Sequence, residues 1–285
     1  MAAHLLAAAA LLLPCAAADL ITLPWPTPSK QSLNLTMGYA TIKSTGTRLN
    51  WYVASLDDLS RYSQALPSNT CATRATTTAS ALEHGCTVAS NSGYFQFAPR
   101  PTFCTGNLVV AGAVPQWQSD ALPMLAVTSN RTTLLGPLAR AQLAALGVTH
   151  AVSGSGLIQV DGAPSAAGIA QARAHVMALR PTAEEVAPRT ILCIDASGRM
   201  LVLAIDGVEA LNLGVTMDEA AELVSGGATG FPFASLHAIN LDGGGSTTLV
   251  AKPSLVQPAQ VYNRPTDTDT GPVTERAVTS IVCIV

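Results

Sequence analysis

The stretch TILCIDASGRMLVLAI, at residues 190–205, decides the fold class. Two apolar runs, at 190–194 and 200–205, flank the turn-forming types Asp, Ala, Ser and Gly at 195–198. This pattern predicts a β-hairpin of two buried strands. Because the two strands follow each other without an intervening helix, the hairpin favours an α+β fold over a doubly wound parallel sheet.

The remainder of the chain predicts further short strands and a few helices. Strands are predicted at Leu33–Ile42, Arg48–Leu56, 86–90, 122–128, 132–135, 157–160, 238–241, 247–251 and 279–285. Helices are predicted at 76–84 and 139–146, and a third opens at a capping box of Thr216 and Glu219 and runs to about residue 225. Residues 164–188 are alanine-rich and are expected to form a helical or irregular excursion over the site. We therefore expect an α+β fold of twisted mixed or antiparallel sheets with a few packed helices, in a single catalytic domain.

Composition narrows the functional classes. The chain has 285 residues, of which 48% are hydrophobic and 12% are charged, and its formal net charge is −3. This apolar content supports a packed core and argues against a disordered chain. The absence of a basic excess makes nucleic acid an unsuitable partner, since a phosphate backbone is bound mainly through Lys and Arg.

The N-terminus predicts entry into the secretory pathway. An apolar run at residues 5–13 is followed by small residues at 16–18, which is typical of a signal peptide. We expect a signal peptide at 1–18 and a mature domain at 19–285; the alternative is a buried N-terminal helix. The run is too short to span a bilayer, so no membrane span is expected in the mature chain. The protein would then be secreted, or lumenal in a compartment such as the Golgi or lysosome.

Cysteines and sequons agree with that compartment. Cys193 lies inside an apolar strand and is expected to be a buried free thiol. The other mature cysteines, at 71, 86, 104 and 283, can form two disulfides in three possible connectivities. Asn34 and Asn130 begin glycosylation sequons.

A glycine-rich motif carries the sharpest functional signal. Residues 240–248 read NLDGGGSTT, so Asp242 leaves a predicted buried strand directly into three glycines. Successive backbone N–H groups in such a turn can form an anion-binding concavity. The alternative is a hairpin turn with an Asx hydrogen bond, although a two-residue hairpin would not need three glycines.

Other stretches suggest sugar and phosphate binding. Residues 91–95 read NSGYF, and Gly106 and Asn107 follow, so amides lie beside aromatic rings, a combination that suits a sugar. Arg189, before Thr190, and Arg276 could each chelate phosphate through a planar guanidinium, although each would alone be an ordinary surface arginine. The histidines show no metal-ligand spacing, so we expect neither a metal nor a cofactor.

These motifs, in this order, resemble the phosphodiester glycosidase family. The resemblance spans residues 86–283 and rests on the blocks 91–95, 106–107, 153–154, 157–158, 189–190, 195, 206–207, 214, 219, 222, 240–247, 263–267 and 276–283. The chain has Ser92 and Cys193 where the family usually has glycine.

The resemblance implies a reaction and a set of site residues. The reaction is hydrolysis of the glycosidic bond in sugar-1-phosphodiesters, which releases a sugar such as N-acetylglucosamine from a phosphate monoester. The partner is then a sugar-phosphate ligand on a glycan or glycoconjugate. Asp242 is the first candidate for the catalytic carboxylate, and Glu219 and Asp206 are the next. Substrate or phosphate would be bound by Asn91, Gly93, Asn107, Ser153, Gly154, Arg189, Thr190, Gly243, Gly244, Gly245, Ser246 and Arg276.

The resemblance also implies two disulfides, Cys71–Cys104 and Cys86–Cys283. Three other functions stay open: a secreted carbohydrate-binding module without turnover, a structural cell-surface or wall protein, and a metal-dependent phosphodiesterase that uses Asp195, Asp206 and Asp242 as oxygen ligands. The sequence leaves the oligomeric state open.

Overall fold

The computed structural model describes residues 20–29, 32–96, 103–179, 186–252, 258–267 and 274–285. The predicted signal peptide at 1–18 lies outside the described residues. The described part of the chain is mostly sheet, at 44%, with three helices, so the α+β prediction holds in part and the balance lies further toward β.

The strands and helices follow the chain in this order: β1 Ile21–Pro24, β2 Leu33–Ile42, β3 Arg48–Leu56, β4 Tyr62–Ala65, α1 Thr77–Glu83, β5 Val88–Asn91, β6 Phe95–Gln96, β7 Phe103–Cys104, β8 Leu108–Val110, β9 Ala113–Gln116, β10 Pro123–Thr128, β11 Thr132–Pro137, β12 Val148–Ser153, β13 Gly156–Val160, β14 Ala163–Pro164, α2 Ala166–Leu179, β15 Arg189–Asp195, β16 Met200–Ile205, α3 Met217–Val224, β17 Ala228–Thr229, β18 Ser235–Asn240, β19 Leu249–Ala251, β20 Gln260–Val261 and β21 Ile281–Ile284.

The strands of the described residues form three large sheets of unequal size. The largest has eight strands in the order β14-β13-β18-β15-β16-β3-β2-β17, the next has six in the order β1-β11-β10-β12-β8-β9, and the third has five in the order β20-β19-β5-β21-β4. Strands β6 and β7 form a separate pair. The registers recorded between these described strands are antiparallel, so of the two sheet types expected the antiparallel one is found. The predicted hairpin at 190–205 is β15 and β16, paired from Arg189 with Ile205 to Ile194 with Met200.

The alternation of side chains along β16 divides the core in two. Met200 and Val202 face the main core, where all three sheets contribute residues. Leu201 and Leu203 face a second core beneath α2 and α3. Successive side chains of a strand point to opposite faces, so a continuous apolar run is what a strand buried on both faces requires.

Helix α2 lies unusually close to β13. An ideal Cβ on Gly156 would collide with the carbonyl oxygen of Gly168, and one on Gly168 would collide with the carbonyl of Leu157. Two glycines therefore allow the helix backbone to rest on the strand backbone. Residues 164–188 were expected to be helical or irregular, and α2 is the helical part of the segment.

Two predictions about helices had different outcomes. The capping box of α3 is confirmed: the Thr216 side chain accepts from the Glu219 N–H at 3.1 Å, and Glu219 accepts from the Thr216 N–H at 2.9 Å. The predicted helix at 139–146 is wrong, since only a 3₁₀ turn, Arg140–Gln142, forms there. So short a segment gains little from helical propensity alone, and the chain must turn back at Gly147 into β12.

The predicted disulfides are confirmed. Cys71 pairs with Cys104 and Cys86 with Cys283, while Cys193 is free and buried. Burial raises the pKa of the Cys193 thiol to about 12, so it stays protonated. No helix in the described part of the chain is long and apolar enough to cross a membrane.

Candidate active site

The glycine turn, defined as residues 242–246, joins two sheets. It follows β18 of the eight-stranded sheet and leads into β19 of the five-stranded sheet. Residues Gly244–Ser246 form a 3₁₀ turn, and Gly244 has a φ of +58°. The turn is therefore not the tight hairpin considered as the alternative. Asp242 and Gly243 are partly exposed, and the rest of the turn is buried.

Each glycine of the turn has a different neighbour where a side chain would be. A Cβ on Gly243 would lie 2.8 Å from the Pro188 carbonyl oxygen, and one on Gly244 would lie 2.8 Å from Oε2 of Glu209. A Cβ on Gly245 would collide with the guanidinium of Arg276. Three glycines occur in sequence because a backbone carbonyl, a carboxylate and a guanidinium each approach the chain too closely for a side chain.

The backbone amides of the turn are less available to an anion than the sequence suggested. The N–H of Gly244 donates to the Pro188 carbonyl at 2.9 Å. The hydrogen bonds recorded among the described residues leave the N–H groups of Gly243 and Gly245 for a ligand. The anion site expected from three backbone N–H groups is therefore reduced to those of Gly243 and Gly245.

Asn91 and Thr190 hold the turn from behind. Asn91 is fully buried, and its Nδ2 donates to the Asp242 carbonyl at 2.7 Å. Its Oδ1 accepts from Thr190 Oγ1 at 2.8 Å and from the Thr248 N–H at 3.1 Å. These residues were expected to bind substrate, and the structure places them as the support that fixes the backbone of Asp242.

Both predicted arginines lie against the turn. Cδ of Arg189 is 3.8 Å from a Cβ placed on Gly243, and its Nε donates to the Val215 carbonyl at 3.2 Å. Arg276 donates from Nε to Oδ1 of Asp267 at 3.1 Å and from Nη1 to Oγ of Ser246 at 3.5 Å. Arg189 is 4% exposed and Arg276 is 8% exposed, so two shielded cationic residues lie against the turn that follows Asp242.

Tyr94 and His175 extend the site toward α2. The Tyr94 hydroxyl donates to the Leu241 carbonyl at 2.9 Å and accepts from Asn240 Nδ2 at 3.2 Å. Burial, and then the charge of Asp242, raise the pKa of Tyr94 above its ordinary value. The imidazole of His175 lies 4.6 Å from the Tyr94 ring, and burial lowers the pKa of His175. Tyr94 therefore lies between the α2 histidine and the anionic end of the turn.

Glu219 lies away from the glycine turn. Besides capping α3, its carboxylate accepts from Thr45 Oγ1 at 2.6 Å and from Thr47 Oγ1 at 2.5 Å. Burial alone would raise the pKa of Glu219, but the hydrogen bonds from Thr45, Thr47 and Thr216 outweigh burial and lower it. These contacts give the carboxylate a structural role at the β2–β3 turn.

Asp206 lies beside a cavity of about 750 Å³ that adjoins the glycine turn. Its Oδ2 accepts from the Tyr52 hydroxyl at 3.0 Å and its Oδ1 accepts from the Arg264 N–H at 2.8 Å. Thr266 also lines this cavity, and its carbonyl oxygen lies against Gly245. The lining is completed by Tyr39, Ala40, Thr41, Arg48, Leu49, Asn50, Gly207, Val208, Leu213, Gly214 and Arg264.

The other predicted binding residues form a separate polar cluster. The Ser153 hydroxyl accepts from the Asn107 N–H at 2.8 Å, and the Asn107 side chain binds the backbone of Gln118 and Ser119. A Cβ on Gly154 would collide with the Asn240 carbonyl, so this glycine permits packing against β18.

Two further positions in the NSGYF stretch also have structural contacts. The Gly93 N–H donates to Ser280 Oγ at 3.0 Å. Ser92, where the family usually has glycine, donates from its hydroxyl to Gln64 Oε1 at 2.5 Å.

The three aspartates considered as metal ligands do not converge. Asp195 closes its own hairpin, since its carboxylate accepts from the Ser197 and Arg199 N–H groups at 2.8 and 3.0 Å. Within the described ranges, no group of three or more His, Cys, Asp or Glu could hold a metal ion.

Sequence reasoning missed Glu209, Tyr94 as a site residue, and His175. Tyr94 lies in the NSGYF stretch, so its neighbours already drew attention to it. Glu209 and His175 lie in segments without a recognisable motif, and each reaches the site through contacts distant in sequence.

The architecture and the site define a β-rich protein with an arginine-flanked glycine turn, and comparison with known families identifies it. Residues 84–285 match the phosphodiester glycosidase family, and the chain belongs to that family. No curated protein matches the chain in sequence.

Solved structures share the fold. The catalytic domain of zebrafish N-acetylglucosamine-1-phosphodiester α-N-acetylglucosaminidase, described as auto-inhibited by its pro-peptide, superposes with a TM-score of 0.76 at 20% identity, over 94% of this chain and 88% of that chain. A hypothetical protein from Synechocystis gives a TM-score of 0.59 at 14% identity, over 94% of this chain and 64% of that chain. A putative exported protein from Burkholderia pseudomallei gives 0.53 at 15% identity, over 86% and 76% of the two chains.

Proposed function

We propose that the protein hydrolyses the glycosidic bond of sugar-1-phosphodiesters and releases the sugar from a phosphate monoester. The observation that carries the proposal is the glycine turn, which begins at the partly exposed Asp242 and has a shielded arginine against Gly243 and another against Gly245. An anion for the sugar and cations for the phosphate are what this reaction needs on the two sides of the broken bond.

The arginines suit the leaving group. A phosphate monoester needs little protonation to leave, but its negative charge needs fixed donors. A planar guanidinium binds two phosphate oxygens at once, and Arg189 and Arg276 are held by hydrogen bonds to the Val215 carbonyl and to Asp267. The N–H groups of Gly243 and Gly245 can add to this anion site.

Asp242 suits the sugar side. As the C1–O bond breaks, the sugar develops oxocarbenium character, which a carboxylate stabilises or traps. The buried amide of Asn91 donates to the Asp242 carbonyl at 2.7 Å, so the backbone that carries the carboxylate is fixed before substrate binds. Glu219 and Asp206 are less suitable, since their hydrogen bonds serve α3 and the wall of the cavity.

Family membership and the fold of the zebrafish enzyme support N-acetylglucosamine as the sugar. The cavity beside Asp206 has room for the remainder of a glycan or glycoconjugate phosphodiester.

Secretion forms part of the proposal. Two disulfides favour an oxidising compartment, as expected for a secreted or lumenal protein. Asn34 and Asn130 are exposed, so both sequons are accessible to glycosylation. Mass spectrometry of protein secreted from eukaryotic cells tests both points, because it would show the mature N-terminus and any glycans.

The test of function is hydrolysis of a panel of sugar-1-phosphodiesters by the purified protein in water labelled with ¹⁸O. Cleavage of the C1–O bond puts the label in the sugar, whereas cleavage of the P–O bond puts it in the phosphate. Label in the sugar supports a phosphodiester glycosidase. Label in the phosphate would assign the protein to the phosphodiesterases, and binding without turnover to the carbohydrate-binding modules.

A further inference from the structure

We propose that Glu209 is the second carboxylate of the site and takes the proton from the attacking water. The inference rests on the proposed function and adds a residue that neither the family motif nor local sequence reasoning selects.

Glu209 lies directly against the glycine turn. With a Cβ built on Gly244, Oε2 of Glu209 would be 2.8 Å away and Oε1 would be 3.9 Å away, so both carboxylate oxygens face the backbone of the turn. Glu209 is only 6% exposed. A buried carboxylate is tolerated where positive charge compensates it, and the guanidinium of Arg276 lies against the adjacent Gly245.

The segment that carries Glu209 is locally fixed. Val208 and Leu213 exchange backbone hydrogen bonds of 2.8 and 3.1 Å, and the Asn212 N–H donates to the Glu209 carbonyl at 3.1 Å. Residues Glu209–Leu211 form a 3₁₀ turn, and Asn212 ends it in the left-handed region, with a φ of +51°. The backbone of Glu209 is therefore fixed by hydrogen bonds within a tight turn.

Charges alternate along the glycine turn. Arg189 lies against Gly243, Glu209 against Gly244 and Arg276 against Gly245. With Asp242 at the start of the turn, two acidic residues and two arginines lie along five residues of backbone. Hydrolysis of a glycosyl bond commonly uses a pair of carboxylates, and this pair is the one that the fold brings to the turn.

The proposed step balances without any further reagent. The water oxygen forms a bond to C1 of the sugar, and the C1–O bond to phosphate breaks with its electron pair remaining on the phosphate monoester. One water proton passes to the Glu209 carboxylate and is then released to solvent. Asp242 stabilises the positive charge that develops at C1. It does so either electrostatically or by forming a covalent glycosyl intermediate, which the same water then hydrolyses.

Glu222 and Glu275 bind groups in other parts of the fold. Glu222 accepts from the Ser44 N–H at 3.0 Å, and Glu275 accepts from the Thr78 N–H at 2.9 Å and from its hydroxyl at 2.6 Å. Asp267 pairs with Arg276. Glu222 therefore provides a matched control of the same side-chain type outside the glycine turn.

The test compares Glu209→Gln with Glu222→Gln in the full chain. Glutamine keeps the size and hydrogen-bonding capacity of Glu209 but cannot take a proton. We expect kcat on an N-acetylglucosaminyl phosphodiester to fall by a factor of about 10² to 10⁴ in Glu209→Gln, with KM and the melting temperature near wild type. Glu222→Gln is expected to keep wild-type kcat.

Rescue by azide separates catalysis from folding. Azide needs no base, so it should restore turnover to Glu209→Ala and give a glycosyl azide, whereas Glu222→Ala should show no azide effect. If Glu209→Gln unfolds, Glu209→Asp supplies a shorter carboxylate and should retain partial turnover. Wild-type kcat in Glu209→Gln, or a folded Glu209→Ala that azide does not rescue, would overturn the assignment. An inactive wild-type protein would instead contradict the proposed function itself.

Discussion

Gly245 has no side chain, and that absence is what lets Arg276 reach the backbone of the glycine turn. The sequence revealed this turn because three consecutive glycines after an aspartate are costly to order and so need a reason. It could not reveal Glu209, because a single glutamate in an irregular segment has no local pattern. The contact between Glu209 and Gly244 exists only after β16 and β18 take their places in the sheet.

A prediction at the residue scale concerns the geometry of the two cations. Arg189→Lys and Arg276→Lys keep the positive charge but lose the planar fork that binds two phosphate oxygens. We expect kcat/KM to fall by about tenfold or more in each variant, with a small change in melting temperature. The control is Arg140→Lys on the exposed 3₁₀ turn Arg140–Gln142. Wild-type kcat/KM in both site variants would remove the arginines from the mechanism.

Elements were predicted best where β-forming residues are frequent or turn residues mark the ends of an apolar run. The bounds predicted for β2 and β3 match the structure, and the hairpin of β15 and β16 lies where its turn residues indicated. The short strand β12 was missed because its residues carry mixed polarity. For residues 139–146 a helix was predicted where none forms. Alanine and leucine favour a helix, but the chain must turn back into β12 there.

A prediction at the element scale concerns pH and β12. Nδ1 of His150 accepts from the Gln64 N–H at 3.1 Å and from the Ala111 N–H at 3.3 Å, and burial lowers the pKa of His150. A protonated imidazole cannot accept these bonds. The unfolded chain therefore takes up this proton more readily, and stability is lost as the pH falls below about 6.5.

The measurement is the urea midpoint of wild type and His150→Gln at about pH 7.5 and about pH 5.5. The wild-type midpoint should fall on acidification, and the variant should lose part of that fall. His175 and His237, whose pKa values burial also lowers, account for the remainder. The same fall in both proteins would show that His150 does not carry the effect.

The whole molecule is held together by contacts that local patterns cannot specify. The sequence indicated strands in mixed or antiparallel sheets, but not that the described strands divide into sheets of eight, six and five. The order of strands depends on pairing over long sequence separations, such as β16 with β3 and β21 with β5. Likewise, Glu219 and Asp206 were selected as carboxylates within family motifs. Only the packed structure shows that Glu219 accepts a hydrogen bond from Thr45 and that Asp206 accepts one from Tyr52.

A prediction at this scale concerns the Cys86–Cys283 disulfide, which joins residues 197 positions apart and ties the last strand to the core. By the loop-entropy relation, a closure of this length contributes about 5 kcal/mol. We expect the double variant Cys86→Ser, Cys283→Ser to have a strongly lowered melting temperature. Reduction of the remaining Cys71–Cys104 disulfide should lower the melting temperature of that variant by a smaller amount. A double variant that melts within about 2 °C of wild type would contradict this expectation.

The central claim is that Asp242 supplies the anion for glycosyl transfer at a fixed glycine turn, and Asp242→Asn tests it most directly. Asparagine keeps the size of the side chain, and the backbone bonds to Asn91 and Ser92 do not involve the side chain of residue 242. Hydrolysis of an N-acetylglucosaminyl phosphodiester and the melting temperature are measured together in both proteins. We expect a folded variant whose kcat is lower by a factor of about 10² or more. A folded Asp242→Asn protein with near-normal kcat would contradict the account.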